Sequence, residues 1–145
     1  MSIIKDIYDL AKDGAIKGAK IATIKRALRT ELKLNKKFLQ DIEQSKPIDD
    51  GRRKAIITML DITELSAAVK YDIPYPLICN KEVSEALAKE YNSTRLIGWD
   101  LEMLVESLYL KIAYLKKDKD NPNIHLNLRL LNIYKYNSIL LALLR

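Results

Sequence analysis

An apolar or small residue returns at every seventh place through the first third of the chain: Ile7, Gly14, Ile21, Leu28, then a polar Asn35, then Ile42. A second row runs four places further on, at Ala11, Gly18, Leu32 and Leu39, broken only by Lys25. No proline interrupts residues 2–44. This spacing predicts one long amphipathic helix over 2–44 that lays a narrow seam against other helices. At about 1.5 Å per residue it would span roughly 65 Å. Asn35, polar where the repeat expects an apolar residue, either fixes the register from a buried position or marks where the seam drifts off the core.

The rest of the chain divides in the same manner. Ser45-Lys46-Pro47 ends the first helix, because the residue before a proline is pushed out of helical geometry. Asp49 or Asp50 caps a second helix over 49–72, which carries Ile56, Ile57, Leu60, Ala67 and Val69. Residues 73–80 hold Pro74 and Pro76 and read as an extended loop. A third helix over 81–117 presents Leu101, Leu104, Leu108, Ile112 and Leu115, with Asn92, Ser93 and Gly98 marking a kink near 92–98. After a polar turn around Pro122, a fourth helix over 124–145 is apolar on nearly every side, which places it at the centre of the packing or in a subunit interface.

The expectation is therefore an all-α fold, an antiparallel four-helix bundle with unequal helix lengths and a long N-terminal helix, in a single helical domain of 1–145. A chain of 145 residues can bury about 70% of its unfolded surface without staples. The second helix, about 35 Å long, covers only the far half of the first. Residues 2–20 are left as an overhanging arm, unless the first or third helix folds back at an internal break.

That arm crowds Ala11, Gly14, Ala15, Gly18, Ala19 and Ala22 together, behind Ile3, Ile4, Ile7 and Leu10. Two glycines inside a helix cost about 1 kcal/mol each relative to alanine, and close approach of another backbone is the natural compensation. The crossing helix belongs to this domain, to a second copy or partner protein, or is replaced by an anionic membrane surface that Lys12, Lys17 and Lys20 would attract.

Charge adds a second feature. The chain carries +6 overall, but residues 12–37 hold seven lysines and two arginines against only Asp13 and Glu31, so the excess lies in the first helix. Arg26, Arg29, Lys33 and Lys37 recur at three- and four-residue steps and share one face. Such a stripe keeps a long helix soluble, and it also binds phosphates, an anionic membrane or an acidic protein surface.

Reaction chemistry is sparse. His125 is the only histidine, so no histidine pair can exchange protons and no zinc cluster can form around it; directly before the last helix it reads as a capping or surface residue. There is no phosphate-cradling glycine loop, no Gly-x-Ser-x-Gly elbow, no pair of Glu-x-x-His motifs for a di-metal site, and no arginine-histidine spacing of the kind found in helical HEPN ribonucleases. Asp61 with Glu64, and Glu102 with Glu106, read as solvated pairs or as partners of the basic helix. Eight tyrosines and Trp99 sit at packing spacing. Cys79 has no basic neighbour in sequence to activate it, and a lone cysteine without an N-terminal signal pattern points to a reducing cytoplasm. No run reaches the roughly 18 apolar residues of a membrane span.

At the level of architecture, a helical bundle with an amphipathic, small-residue-rich first helix resembles the membrane-disrupting four-helix domains of cell-death effectors. It equally resembles the small helical accessory proteins common in bacteria. Neither resemblance rests on particular residues, so neither carries a site. The reading that follows is a non-catalytic, cofactor-free helical module, a small regulatory or self-assembling subunit, cytoplasmic or peripheral at a membrane. It binds a protein partner or a second copy through Ile7, Leu10, Ala11, Gly14 and Gly18, with Arg26, Arg29, Lys33 and Lys37 as the electrostatic contact. The alternatives are a membrane-associating effector and, less favoured, a binder of the nucleic-acid backbone.

Overall fold

The computed structural model describes residues 1–11 and 16–145. Ser2 opens the first helix, α1 (Ile3–Leu10), its hydroxyl accepting the N–H of Lys5 at 3.1 Å. Ile4 and Ile7, on one side of this helix, are buried in the common core. The second helix, α2, begins at Ala19 and runs to Phe38. Between them Ile16 and Lys17 are non-helical, and Gly18 stands at φ +55°, a backbone conformation that glycine adopts without steric penalty. The single rod expected over 2–44 is thus broken before α2 and again after it. Its supposed arm is folded back, with α1 packed against α2 and a later helix, Thr63–Lys70, because Ile4 and Ile7 gain more from core burial than a solvated apolar stripe could offer.

One turn, α3 (Gln40–Glu43), follows α2, and Ser45 at φ +52° turns the chain away. The second expected helix is also two: α4 (Asp50–Met59), capped by Asp49 accepting the N–H of Arg52 at 2.8 Å, and α5 (Thr63–Lys70). The stretch expected to be extended contains a short helix, α6 (Tyr75–Ile78), with a proline in its first turn, where no N–H is needed. The third expected helix divides at the kink into α7 (Glu85–Glu90), a 3-10 turn (Thr94–Leu96) and α8 (Leu101–Asp118). Residues 83–99 form a closed excursion: Val83 N–H donates to the Trp99 carbonyl and Gly98 N–H to the Val83 carbonyl, both at 2.9 Å, with Gly98 at φ +84°. The last helix, α9 (Leu126–Leu143), is capped by His125, whose Nδ1 accepts the Leu128 N–H at 3.2 Å.

Among the described residues every regular element is helical, so the all-α class stands, but nine short and medium helices replace the four rods of the expectation. α9 occupies the middle, packed against α2, α3, α4 and α8. Its buried row of Leu130, Ile133, Ile139, Leu140 and Leu143 meets Leu28 and Leu32 of α2 and Leu104, Leu108 and Ile112 of α8 in one continuous core.

Two buried polar residues of α2 explain why 49–72 breaks. Asn35, fully buried, donates through Nδ2 to the carbonyl of Asp61 and accepts the Asp61 N–H through Oδ1, both at 2.8 Å. One turn earlier, Glu31 accepts the N–H groups of Glu64 and Leu65 at 2.8 Å each. These bonds satisfy the backbone at the α4–α5 corner, groups that would otherwise require a continuous helix or water. Asn35 therefore marks a register, set within the chain, and not a drift of the seam.

Candidate functional site: two cationic surfaces

The sequence-derived contact residues separate into two groups. Ile7 lies in the core, Leu10 is 81% exposed, and Ala11 is half-buried. Gly18 is exposed, with open space around the position a Cβ would take, so it serves a turn and not a close helix crossing. Gly14 lies outside the described residues. The arm's residues therefore do not form one outward seam. Glu64, expected on a solvated face, is buried and fastens α1 instead: its carboxylate accepts the Ser2 hydroxyl at 2.5 Å and the N–H groups of Ile3 at 3.0 Å and Ile4 at 3.1 Å. A carboxylate at a helix N-terminus meets both the free N–H groups and the positive end of the helix dipole. Glu31 does for α5 what Glu64, in the first turn of α5, does for α1. Burial pushes the Glu31 carboxyl up to about 7, against the lowering effect of its two backbone donors, with Asp61 and Glu64 adding repulsion.

The electrostatic residues fare differently. Arg26, Lys33 and Lys37 are exposed and Arg29 half-buried, on the side of α2 opposite its buried row of Ile24, Leu28, Glu31 and Asn35. α2 holds seven cations, Lys20, Lys25, Arg26, Arg29, Lys33, Lys36 and Lys37, and one carboxylate. That carboxylate is Glu31, which points inward. The ion pairs of the described residues lie elsewhere: Lys5 with Asp9, Lys89 with Glu85, Arg53 with Asp50, Lys54 with Asp120, and Arg52 and Lys46 with Asp41. None of these ion pairs among the described residues uses a cation of α2. Leu34, 42% exposed, adds an apolar spot beside the stripe.

A second cationic cluster lies where α8, α9 and the 3-10 turn meet, and the sequence reading did not single it out. The Lys111 ammonium sits 4.8 Å from the centre of the Tyr136 ring, and the Arg95 guanidinium 5.7 Å from it. Tyr136 is itself buried and held edge-on by Trp99 at 6.1 Å. Burial lowers the Lys111 pKa, and Arg95 and Arg129 lower it further. Among the described residues, no carboxylate forms an ion pair with any of these three cations. Beside them runs a groove of about 650 Å³ between α8 and α9, with Leu110, Tyr114 and Leu128 on its walls. The available signal was that Leu110 and Tyr114, one turn apart, are apolar although they lie off the Leu101–Leu104–Leu108–Ile112–Leu115 row.

No protein-family model, no curated protein and no solved structure matches the chain. The geometry alone thus bears on function. Among the described residues no group of three or more histidine, cysteine, aspartate or glutamate side chains is placed to hold a metal ion. No helix of the described residues is long and apolar enough to cross a membrane. Cys79 is half-buried, its thiol donating to the Leu143 carbonyl at 3.4 Å.

Proposed function

We propose that this protein is a non-catalytic helical association module, a small regulatory or accessory subunit, which docks an acidic surface of a partner protein on the outward face of α2. The observation that carries the reading is the gathering of seven cations on α2, none of which forms an ion pair among the described residues. Like charges gathered on one helix raise its energy, and a carboxylate-bearing partner relieves that repulsion while steering encounter. Leu34 supplies a desolvated contact at the edge of the stripe, where a partner's apolar residue would sit. The reading as a membrane-inserting effector relied on a free apolar arm, and Ile4 and Ile7 are committed to the core.

A synthetic acidic amphipathic helix serves as the test partner. Its affinity should fall with added salt, and Arg26→Glu with Lys33→Glu should weaken it by about tenfold or more, since each tenfold corresponds to about 1.4 kcal/mol. Leu34→Asp should weaken it as well. Affinity indifferent to salt and to the charge reversals would remove the reading. Tighter, reversal-sensitive binding to phosphatidylglycerol vesicles or to duplex RNA would replace the protein partner with a phosphate surface. Sedimentation equilibrium of the protein alone separates a second copy from a different partner.

A further inference from the structure

The geometry points to a second binding site, independent of the α2 face: the groove between α8 and α9 receives a small amphipathic organic anion, its phosphate or carboxylate head among Lys111, Arg129 and Arg95 and its apolar tail against Leu110, Tyr114 and Leu128. Lys111 and Arg129 line the groove, Arg95 shares the buried Tyr136 ring with Lys111, and no described carboxylate pairs with any of the three. Convergence of this kind is costly when empty and favours an anion that can accept from two guanidinium forks and an ammonium at once. Asn132 borders both the groove and a hollow of about 200 Å³ lined by Arg95 and Lys135.

The groove walls also carry apolar side chains. Leu110 is 54% exposed, Tyr114 62% and Leu128 52%, a shelf that a bare inorganic anion would leave wetted. The volume, about 650 Å³, lies within the range of roughly 300–1,000 Å³ typical of small-ligand pockets. The charge is also gathered at one point instead of being spaced along a helix. That arrangement suits a single anionic head better than a row of glutamates on a partner helix.

The test titrates octyl phosphate, below its micellar concentration, into the isotope-labelled full chain, with inorganic phosphate and octanol as the head-only and tail-only probes. Saturable amide shifts at Leu110, Lys111, Tyr114, Leu128 and Arg129 are expected, with affinity about tenfold or more above that for inorganic phosphate and none for octanol. Lys111→Ala should weaken octyl phosphate by about tenfold and Lys111→Arg should restore it, the restored variant also showing that the fold tolerates change at this position. Leu128→Asp should abolish the advantage of the tail. The double variant Arg26→Glu, Lys33→Glu should bind as the parent does, which keeps this site separable from the α2 face. Recruitment to phosphatidylglycerol vesicles that is lost in Lys111→Ala assigns the head to a lipid, whereas octyl phosphate binding without vesicle binding assigns it to a soluble anion. No binding of any probe, binding no tighter than inorganic phosphate, or binding that ignores both Lys111→Ala and Leu128→Asp overturns the proposal.

Discussion

Asn35 and Glu31 lie four residues apart on the buried side of α2, and together they hold the α4–α5 corner by four hydrogen bonds to backbone. Asn35→Ala removes both partners of the Asp61 peptide groups in a fully buried position, which should cost about 3 kcal/mol in denaturant unfolding. Asn35→Asp should also destabilise, because a carboxylate can accept the Asp61 N–H but cannot donate to its carbonyl. Glu31 makes stability depend on pH. Its folded pKa, about 7, lies above the ordinary 4.5, so its contribution is fully present below about pH 4.5 and is lost as pH rises through 7. The shift corresponds to a change on the order of 3 kcal/mol. The stability of the parent minus that of Glu31→Gln should therefore fall across this window in parallel unfolding series. A difference that is flat or rises with pH would show that Glu31 is held as the carboxylate.

At the scale of elements, α1 has eight residues, too few to be stable alone in water, and depends on Glu64 and on the burial of Ile4 and Ile7. Glu64→Ala should release it while the rest stays folded, so the amides of Ile4 and Ile7 should exchange about tenfold faster or more while those of α9 do not change. Uniform acceleration would mean that α1 is not a separate unit. Much of this layer was legible in the sequence. Asp49 or Asp50 as a helix cap, His125 as a capping or surface residue, the apolar row from Leu101 to Leu115 and a central or interface place for the last helix follow from spacing and cap chemistry, and the structure has Asp49 and His125 as caps and α9 in the middle. The breaks were less legible. Glycine at position 18 is compatible both with a helix crossing and with a left-handed turn, and the heptad count continues through either. The α4–α5 corner is stabilised by side chains thirty or so residues away in sequence, which no local pattern encodes. Asp61 accepting from Thr63 N–H at 3.0 Å was the one local sign of it, an Asx turn.

For the whole molecule, the inward turn of Glu31, the one carboxylate of α2, leaves the cations of that helix on the surface without an acidic neighbour on their own element. Glu31 and Glu64 are used inside as helix caps, so they cannot neutralise the outside of α2. The basic stripe was readable as a run of lysine and arginine, whereas its freedom from ion pairs became visible only once the inward turn of Glu31 was known. The groove cations were less readable still, because Arg95, Lys111 and Arg129 come from three separate elements. The charge asymmetry is concentrated on the α2 face, and the site of contact can be mapped directly. Titrating the acidic helix into the isotope-labelled protein should shift the amides of Arg26, Thr30, Lys33, Leu34 and Lys37 and leave those of α1 in place. Shifts centred on Ile7, Leu10 and Ala11, or scattered over the whole surface without saturation, would contradict it.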